Sequence, residues 1–248
     1  MSLVSIILPY FKKKEYIKAT INSILEQTYK NFEIILVDDE ISDESKKILN
    51  EIKSLDKRIT LIKNFKNMGA GYSRNEGIKI SKGSFLAFCD CDDLWDKSKL
   101  DQQLKFMKRL NIDASHTSYV IINGSGKIIG KRVATSKLDF NDLLKSCDIG
   151  LSTVLIKKEV LANPTVHFPN LKTKEDYVLW LKLSKNGVIF FGLDENLVSW
   201  RKIKNSLSSS SIQKLLDGYR VYRFFLNYSF FGSIYRLIIL SINFIKKK

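Results

Sequence analysis

The sequence predicts an α/β fold, with a mostly parallel central sheet, flanking helices and a C-terminal helical tail. Three observations predict it. Up to Asp93, short apolar runs alternate four times with segments of helical period, the pattern of strands joined by crossover helices. The apolar runs are continuous, as strands covered on both faces must be. Two of them stop at clustered acids, and open α/β sheets bind ligands at the carboxyl ends of their strands.

Each element has its own signal. Val4–Leu8 is an apolar run ended by Pro9, and Tyr16, Ile17, Ile21, Ile24 and Leu25 recur at helical spacing between Glu15 and Gln27. Phe32–Val37 is a second strand, stopped by Asp38-Asp39. Ser42–Ser54 is a helix capped by Ser42, with Ile48, Leu49 and Ile52 inward. Ile59–Ile62 is a third strand. The loop Asn67-Met68-Gly69-Ala70-Gly71 opens the helix Tyr72–Ile80, and Phe85–Cys89 is a fourth strand ending at Asp90-Cys91-Asp92-Asp93. Lys99–Leu110 is a helix, and Ala114–Ile122 with Lys127–Arg132 forms a hairpin across Asn123-Gly124-Ser125-Gly126. Phe140–Cys147 is a short helix, Ser152–Ile156 a strand and Thr173–Ser184 a helix. Val188–Phe191 and Leu197–Trp200 are two further strands, and Ser206–Ser211 a Ser-rich loop.

The 248 residues, 44% hydrophobic and 27% charged, exclude wholesale disorder and low-complexity chains. A net charge of +15 predicts an anionic partner. That charge is concentrated: from Asn196 onward ten Lys/Arg face one acid, Asp217, while residues 1–195 are only mildly basic. Cys89, Cys91 and Cys147 fit no zinc or disulfide spacing, so a reducing compartment is expected. The N-terminus lacks the charged region and cleavage site of a signal peptide and reads as a buried strand.

Asp90, Asp92 and Asp93 put three carboxylates within four residues. Charges so close repel unless a cation compensates, and hard oxygen donors suit Mg²⁺ or Mn²⁺ shared with phosphates. A helix N-cap cluster before Leu94–Leu110 is the alternative; it accounts for one acid better than for three. Asp38-Asp39-Glu40 could meet a base or ribose, or simply turn the chain before Ser42. Arg74, after the glycines and near a helix start, could neighbour a diphosphate or lie in solvent. Glu175 and Asp176 open a helix, where acids complement the dipole and where a carboxylate can also serve as general base.

Taken together, these segments resemble glycosyltransferase family 2, the nucleotide-sugar transferases of the GT-A fold. The resemblance runs through Val4-Ser5-Ile6-Ile7-Leu8-Pro9-Tyr10, Ser23–Tyr29, Phe32–Asp39, Gly71–Gly77, Gly83–Trp95 and Glu175–Leu181, and closes with Trp200-Arg201 and Ser206-Leu207-Ser208. It implies a Rossmann-like GT-A domain and an inverting transfer from a nucleoside-diphosphate sugar, with a UDP-sugar expected. The acceptor would be a hydroxyl of a glycan or lipid-linked molecule in surface polysaccharide or lipopolysaccharide assembly. Residue by residue, it implies that Pro9, Tyr10 and Phe11 flank the base, with an aromatic stacking on it, that Asp38 hydrogen-bonds the base or ribose with Asp39 also binding the nucleotide-sugar, and that Arg74 lies near base or diphosphate. Asp90-Cys91-Asp92 matches the DXD motif, with Asp92 as ligand of Mn²⁺ or Mg²⁺. Asp176 matches the catalytic base and Glu175 its supporting neighbour. The usual Asp-Asp-Gly-Ser turn reads Asp39-Glu40-Ile41-Ser42 here, and Lys204 stands where a histidine near the diphosphate is often found.

The expected organisation is a catalytic domain over 1–205, split into a nucleotide-sugar half (1–95) and an acceptor half (96–205), and a basic aromatic tail over 206–248. From Phe224 to Ile245 only Arg236 is charged. A central arginine costs about 2.5–3.5 kcal/mol on the insertion scale, so a helix lying on an anionic membrane fits better than one crossing it. Packing onto the catalytic domain is the other reading. The expected location is cytoplasmic, peripheral on the inner face of the cell membrane. A nucleic-acid-binding protein would also suit the charge, but the acids at Asp90–Asp93 would repel phosphate without a metal, so no nucleic-acid partner is expected. An inactive nucleotide-binding scaffold is a further alternative, set against the intact Asp92 and Asp176.

Overall fold

The structure, a computed structural model, describes residues 2–203 and 210–246. Lys204, Ser206–Ser209 of the Ser-rich loop, the expected boundary at 205/206, Lys247 and Lys248 lie outside the described residues.

The first half runs β1 (Val4–Tyr10), α1 (Lys14–Leu25), β2 (Phe32–Asp38), α2 (Asp43–Lys53), β3 (Ile59–Lys63), α3 (Ala70–Ile80) and β4 (Phe85–Phe88). The second half adds β5 (Leu94–Trp95), α4 (Lys99–Leu110), β6 (Ala114–Ile122), β7 (Ile128–Arg132), β8 (Lys137–Leu138), α5 (Phe140–Leu143), β9 (Leu155–Lys157), α6 (Glu175–Lys185) and β10 (Phe190–Arg201). The tail is α7 (Ser211–Arg220), one wide helical turn over Val221–Phe225, and α8 (Phe230–Lys246). One sheet holds the strands in the order β3-β2-β1-β4-β9-β6-β10-β5, with β7 on β6 and β8 on β10. β3, β2, β1 and β4 are mutually parallel, β9 is antiparallel to both its neighbours, and β6 and β10 are again parallel. This is the expected α/β architecture.

Helices cover both sheet faces, which explains the unbroken apolar runs. Ile6, Leu8, Leu36, Ala87 and Cys89 pack with Ile17, Ile21, Leu49 and Leu100 on one face. Ile7, Leu86 and Phe88 pack with Tyr177, Leu181, Val221 and Leu240 on the other. The tail helices therefore share a core with α6.

Four details depart from the sequence reading. Pro9 does not end β1, which continues to Tyr10 beside Asp38. Odd positions of β1 face β4, as Cys89 N–H donating to Ile7 O shows, and β4 stops pairing at Phe88, so the proline's missing donor has no partner to lose. The two strands expected over 188–200 are one, β10, whose register slips between Leu193 and Val198 and bends it. Leu94–Trp95 is a strand on β10, so the acids before it cap no helix. Ser152 sits in a single tight turn, Leu151–Thr153, ahead of β9.

Lys99 is fully buried with its Nζ 3.9 Å from the Trp95 ring centroid, and that Nζ has no hydrogen-bond partner. Burial pushes its amine down to about 7. The unfolded chain then binds the proton more tightly, so this group makes the fold more stable as pH rises from about 7 toward 10. Lys99→Met removes the unpaired donor, raising stability at pH 7 by about 1–3 kcal/mol and flattening that pH dependence in urea melts.

Candidate functional site

The carboxyl ends of β1, β2 and β4 converge at one end of the parallel strands, as open α/β sheets require of a ligand site. After β4 the chain turns through Asp90-Cys91-Asp92-Asp93, closed by Asp93 N–H donating to Asp90 O at 3.1 Å. The three acids part company here. Asp93 is buried and accepts from Ser152 Oγ at 2.6 Å and Arg201 N at 2.8 Å, so it stitches the turn to β10. Burial, then the charges of Asp90 and Asp92, pushes its carboxyl well above the usual range. Asp90 is partly exposed and Asp92 largely shielded, and each carboxylate meets a cation rather than the β10 backbone. Of the three clustered carboxylates, Asp93 is thus taken up by the fold, which leaves Asp90 and Asp92.

Arg74 joins the site to the acids on α6. It is 3% exposed, donating from one terminal nitrogen to Asp90 at 2.7 Å and from the other to Glu175 at 2.7 Å. It is therefore neither a solvated first-turn residue nor a free diphosphate ligand. Two glycines allow the reach. Gly69 holds φ at +88°, turning the chain into α3. A Cβ on Gly71 would stand 2.6 Å from Pro169 O, so only glycine lets α3 approach the chain leading to Glu175. Below, Trp180 of α6 packs its ring edgewise on Phe190 at 5.3 Å and near Phe88 at 6.1 Å, fixing α6 on the sheet.

Glu175 and Asp176 occupy the first turn of α6, behind Lys174 at φ +64°. Asp176 accepts from Tyr177 N at 2.7 Å. Burial foremost, then the Glu175 charge, pushes its carboxyl up to about 7, with Arg74 pulling the other way.

Asp38 and Asp39 lie elsewhere than expected. Asp38 is fully buried and accepts from Glu40 N at 3.1 Å, Ile41 N at 3.2 Å and Ser45 Oγ at 3.1 Å. Asp39 accepts from Asn64 at 2.6 Å, Met68 N at 2.7 Å and Gly69 N at 2.9 Å. These bonds hold the entry to α2 and the Gly69 loop. Tyr10 and Pro9 are likewise buried, leaving Phe11, 36% exposed, as the aromatic face available for stacking. A cleft of ≈ 310 Å³ is bordered by Tyr10, Lys12, Lys14, Glu15, Glu40 and Glu44. A larger one at the opposite, amino end of β4 lies away from the acids.

Two residues missed in the sequence matter. Lys13 Nζ lies 2.8 Å from Asp92 Oδ2 in a pair largely shielded from solvent. The run Lys12-Lys13-Lys14 beyond β1 was its signal. Arg201 donates through Nε to Asp92 O at 2.8 Å and lies over the Tyr16 ring, clamping the acidic turn to α1 and β10. Burial, then Asp90, raises the Asp92 carboxyl, and Lys13 opposes both. Asp90 and Asp92 offer hard oxygen donors on one turn, and among the described residues no third His, Cys, Asp or Glu joins them. Such a pair fits Mg²⁺ or Mn²⁺ completed by substrate phosphates.

The sequence profile described as Glycosyl transferase family 2 matches residues 5–163. The chain is 35% identical over 222 residues to the putative teichuronic acid biosynthesis glycosyltransferase TuaG of Bacillus subtilis, covering 89% of this chain and 87% of that one. It is 38% identical over 214 residues to an Escherichia coli UDP-Glc:alpha-D-GlcNAc-diphosphoundecaprenol beta-1,3-glucosyltransferase, WfgD, covering 86% and 82%. The crystal structure of S. aureus TarS with UDP-GlcNAc superposes with a TM-score of 0.73 at 22% identity, over 96% of this chain and 70% of that one. The likeness fixes the fold as GT-A.

Two outcomes follow from the geometry. Arg74→Met leaves Asp90 and Glu175 uncompensated and costs about 3–5 kcal/mol, read as a fall in the urea midpoint at constant slope. Lys13→Met removes the ammonium that competes for Asp92. Mn²⁺ binding, followed by loss of the free-ion EPR signal, should tighten about fivefold, the equivalent of about 1 kcal/mol.

Proposed function

Since the chain belongs to glycosyl transferase family 2 and is a transferase of the glycosyltransferase class, we propose that it moves a sugar from a nucleoside-diphosphate donor, a UDP-sugar, to a hydroxyl of a glycan or lipid-linked acceptor with inversion. Its relatives act in bacterial surface glycan assembly, and the proposal sets it in the same process. The observation that carries the reading is the Arg74 bridge, which brings the acids of the β4 turn and the α6 pair to one guanidinium.

In the mechanism, Asp176 takes the proton of the acceptor hydroxyl as that oxygen attacks the anomeric carbon and the bond to the diphosphate breaks on the opposite face. A base that titrates near 7 holds a useful fraction ionised at neutral pH while still being basic enough to pull a proton. Glu175, held by Arg74, keeps Asp176 in place and raises its basicity. Phe11 offers the base a stacking face, with Pro9 and Tyr10 as its floor and Asp38 and Asp39 holding the adjoining loops. A divalent cation, typical of this family, would be held by Asp92 with Asp90 alongside and would offset charge on the departing diphosphate. Lys13 is the nearest protein cation able to serve the same phosphates once released from Asp92. Lys204, outside the described residues, is proposed as a further phosphate contact. The proposal puts the enzyme in the cytoplasm at the inner face of the cell membrane; the diphosphoundecaprenol acceptor in the WfgD name supports that location.

Asp176→Asn should leave UDP-sugar binding nearly intact and cut kcat by about 10²–10⁴-fold; transfer near the wild-type rate overturns the assignment. Because only ionised Asp176 accepts a proton, kcat should rise with pH through about 7. Glu175→Gln removes the like charge that raises Asp176, so the rise moves to lower pH; a rise that stays in place removes Glu175 from this role.

A further inference from the structure

α8 is apolar on two opposite sides. Ser233 and Leu240 are buried on one. Phe231, Tyr235, Ile238, Ile242 and Ile245 follow at steps of four and three, the spacing of a single helical face, and stand in solvent, with Phe231 at 81% exposure. α7 adds to this surface: Asp217 and Gly218 are buried, while Ile212, Leu215 and Leu216 are exposed. The two stripes meet through Tyr219, whose ring lies 6.2 Å from Phe230, itself 5.4 Å from Phe231. An exposed apolar surface of this extent marks an interaction site.

Its charge selects the partner. Within 210–246 the basic residues are Lys214, Arg220, Arg223, Arg236 and Lys246, and the single acid, Asp217, is fully buried. Asp217 accepts from Thr173 N and Oγ1, Gln213 and Arg220, so its charge is spent inward. A second copy meeting this face would set cations against cations, whereas an anionic bilayer offers both an apolar boundary and negative headgroups. No described helix is long and apolar enough to cross a membrane, and α8, about 25 Å long, suits lying along one.

We propose that the exposed faces of α7 and α8 form a docking surface for an anionic lipid bilayer, on which the enzyme lies without spanning it. The tail is fastened on both sides of the candidate acceptor pair. Asp217 holds Thr173, two residues before Glu175, and the Tyr222 hydroxyl lies 3.1 Å from that of Tyr177, next to Asp176. A bilayer under the tail would therefore be registered to the base that meets the acceptor. The surface stands on the tail alone; only its service to a lipid-linked acceptor rests on the proposed function.

The test floats the full chain with vesicles of equimolar phosphatidylglycerol and phosphatidylcholine, beside vesicles of phosphatidylcholine alone. The wild type should float with the anionic vesicles and be released by raised salt. Phe231→Glu and Ile238→Glu, both on the solvent side and clear of the acids, should each lower the partition coefficient about tenfold or more while leaving the urea midpoint and vesicle-free UDP-sugar hydrolysis unchanged. Absence of wild-type flotation, equal flotation of the variants, or a concentration-dependent dimer dissolved by Ile238→Glu without vesicle binding overturns the proposal. Hydrolysis without vesicles reads the catalytic assignment separately.

Discussion

One buried guanidinium organises this molecule. Arg74 is the only cation seen bonded to both halves of the site among the described residues, and it is committed to both at once. A lysine could offer one point of charge; the planar fork of arginine reaches Asp90 and Glu175 from separate nitrogens. Its position depends on the +88° turn at Gly69, the missing Cβ at Gly71 and the carboxylate of Asp39, which receives Met68 N and Gly69 N and so fixes the loop from which α3 starts. The acidic turn at the end of β2 is thereby tied to the placement of an arginine and, through it, to the α6 acids. The turn after β4 and the start of α6 are one electrostatic unit.

That unit explains which parts of the site could be read in the sequence and which could not. Strand–helix alternation, the acid-terminated strands, the Ser42 cap and the Asn123–Gly126 hairpin are local signals, and the structure keeps each. What a short window does not contain is where a side chain points. Asp38 and Asp39 read as surface acids because they follow a strand, yet the backbone donors of Glu40, Ile41, Met68 and Gly69 turn them inward. Asp93 reads as one of three clustered carboxylates, yet it accepts from Arg201 N, 108 positions away. Arg74 pairs with Glu175 across 101 positions. Lys13 was invisible for the same reason: a lysine after a strand becomes part of a site only when the β4 turn is folded beside it.

The tail shows the same difference between composition and placement. Its charge and aromatic content announced an anionic partner, and two readings, membrane contact and packing on the domain, competed for the same residues. The helices do not have to choose. Val221, Tyr222 and Leu240 are core residues, while the opposite faces of α7 and α8 carry apolar side chains that the core does not use. A helix needing only one apolar face for its fold gains nothing in stability from a second, so the second face calls for a partner outside the chain.

The proposed base, Asp176, is a balance of opposed terms. Burial of Asp176 and the nearby Glu175 charge both disfavour ionisation, and Arg74 favours it. Were Glu175 absent, Asp176 would be a weaker base; were Arg74 absent, burial would keep it protonated at neutral pH. The carboxyl comes to rest near 7 because Arg74 is shared with Asp90 and so neutralises the α6 pair only in part. The Asp90 charge adds to the terms that raise Asp176, so the acidic turn after β4 and the α6 pair act on one another through the field around Arg74.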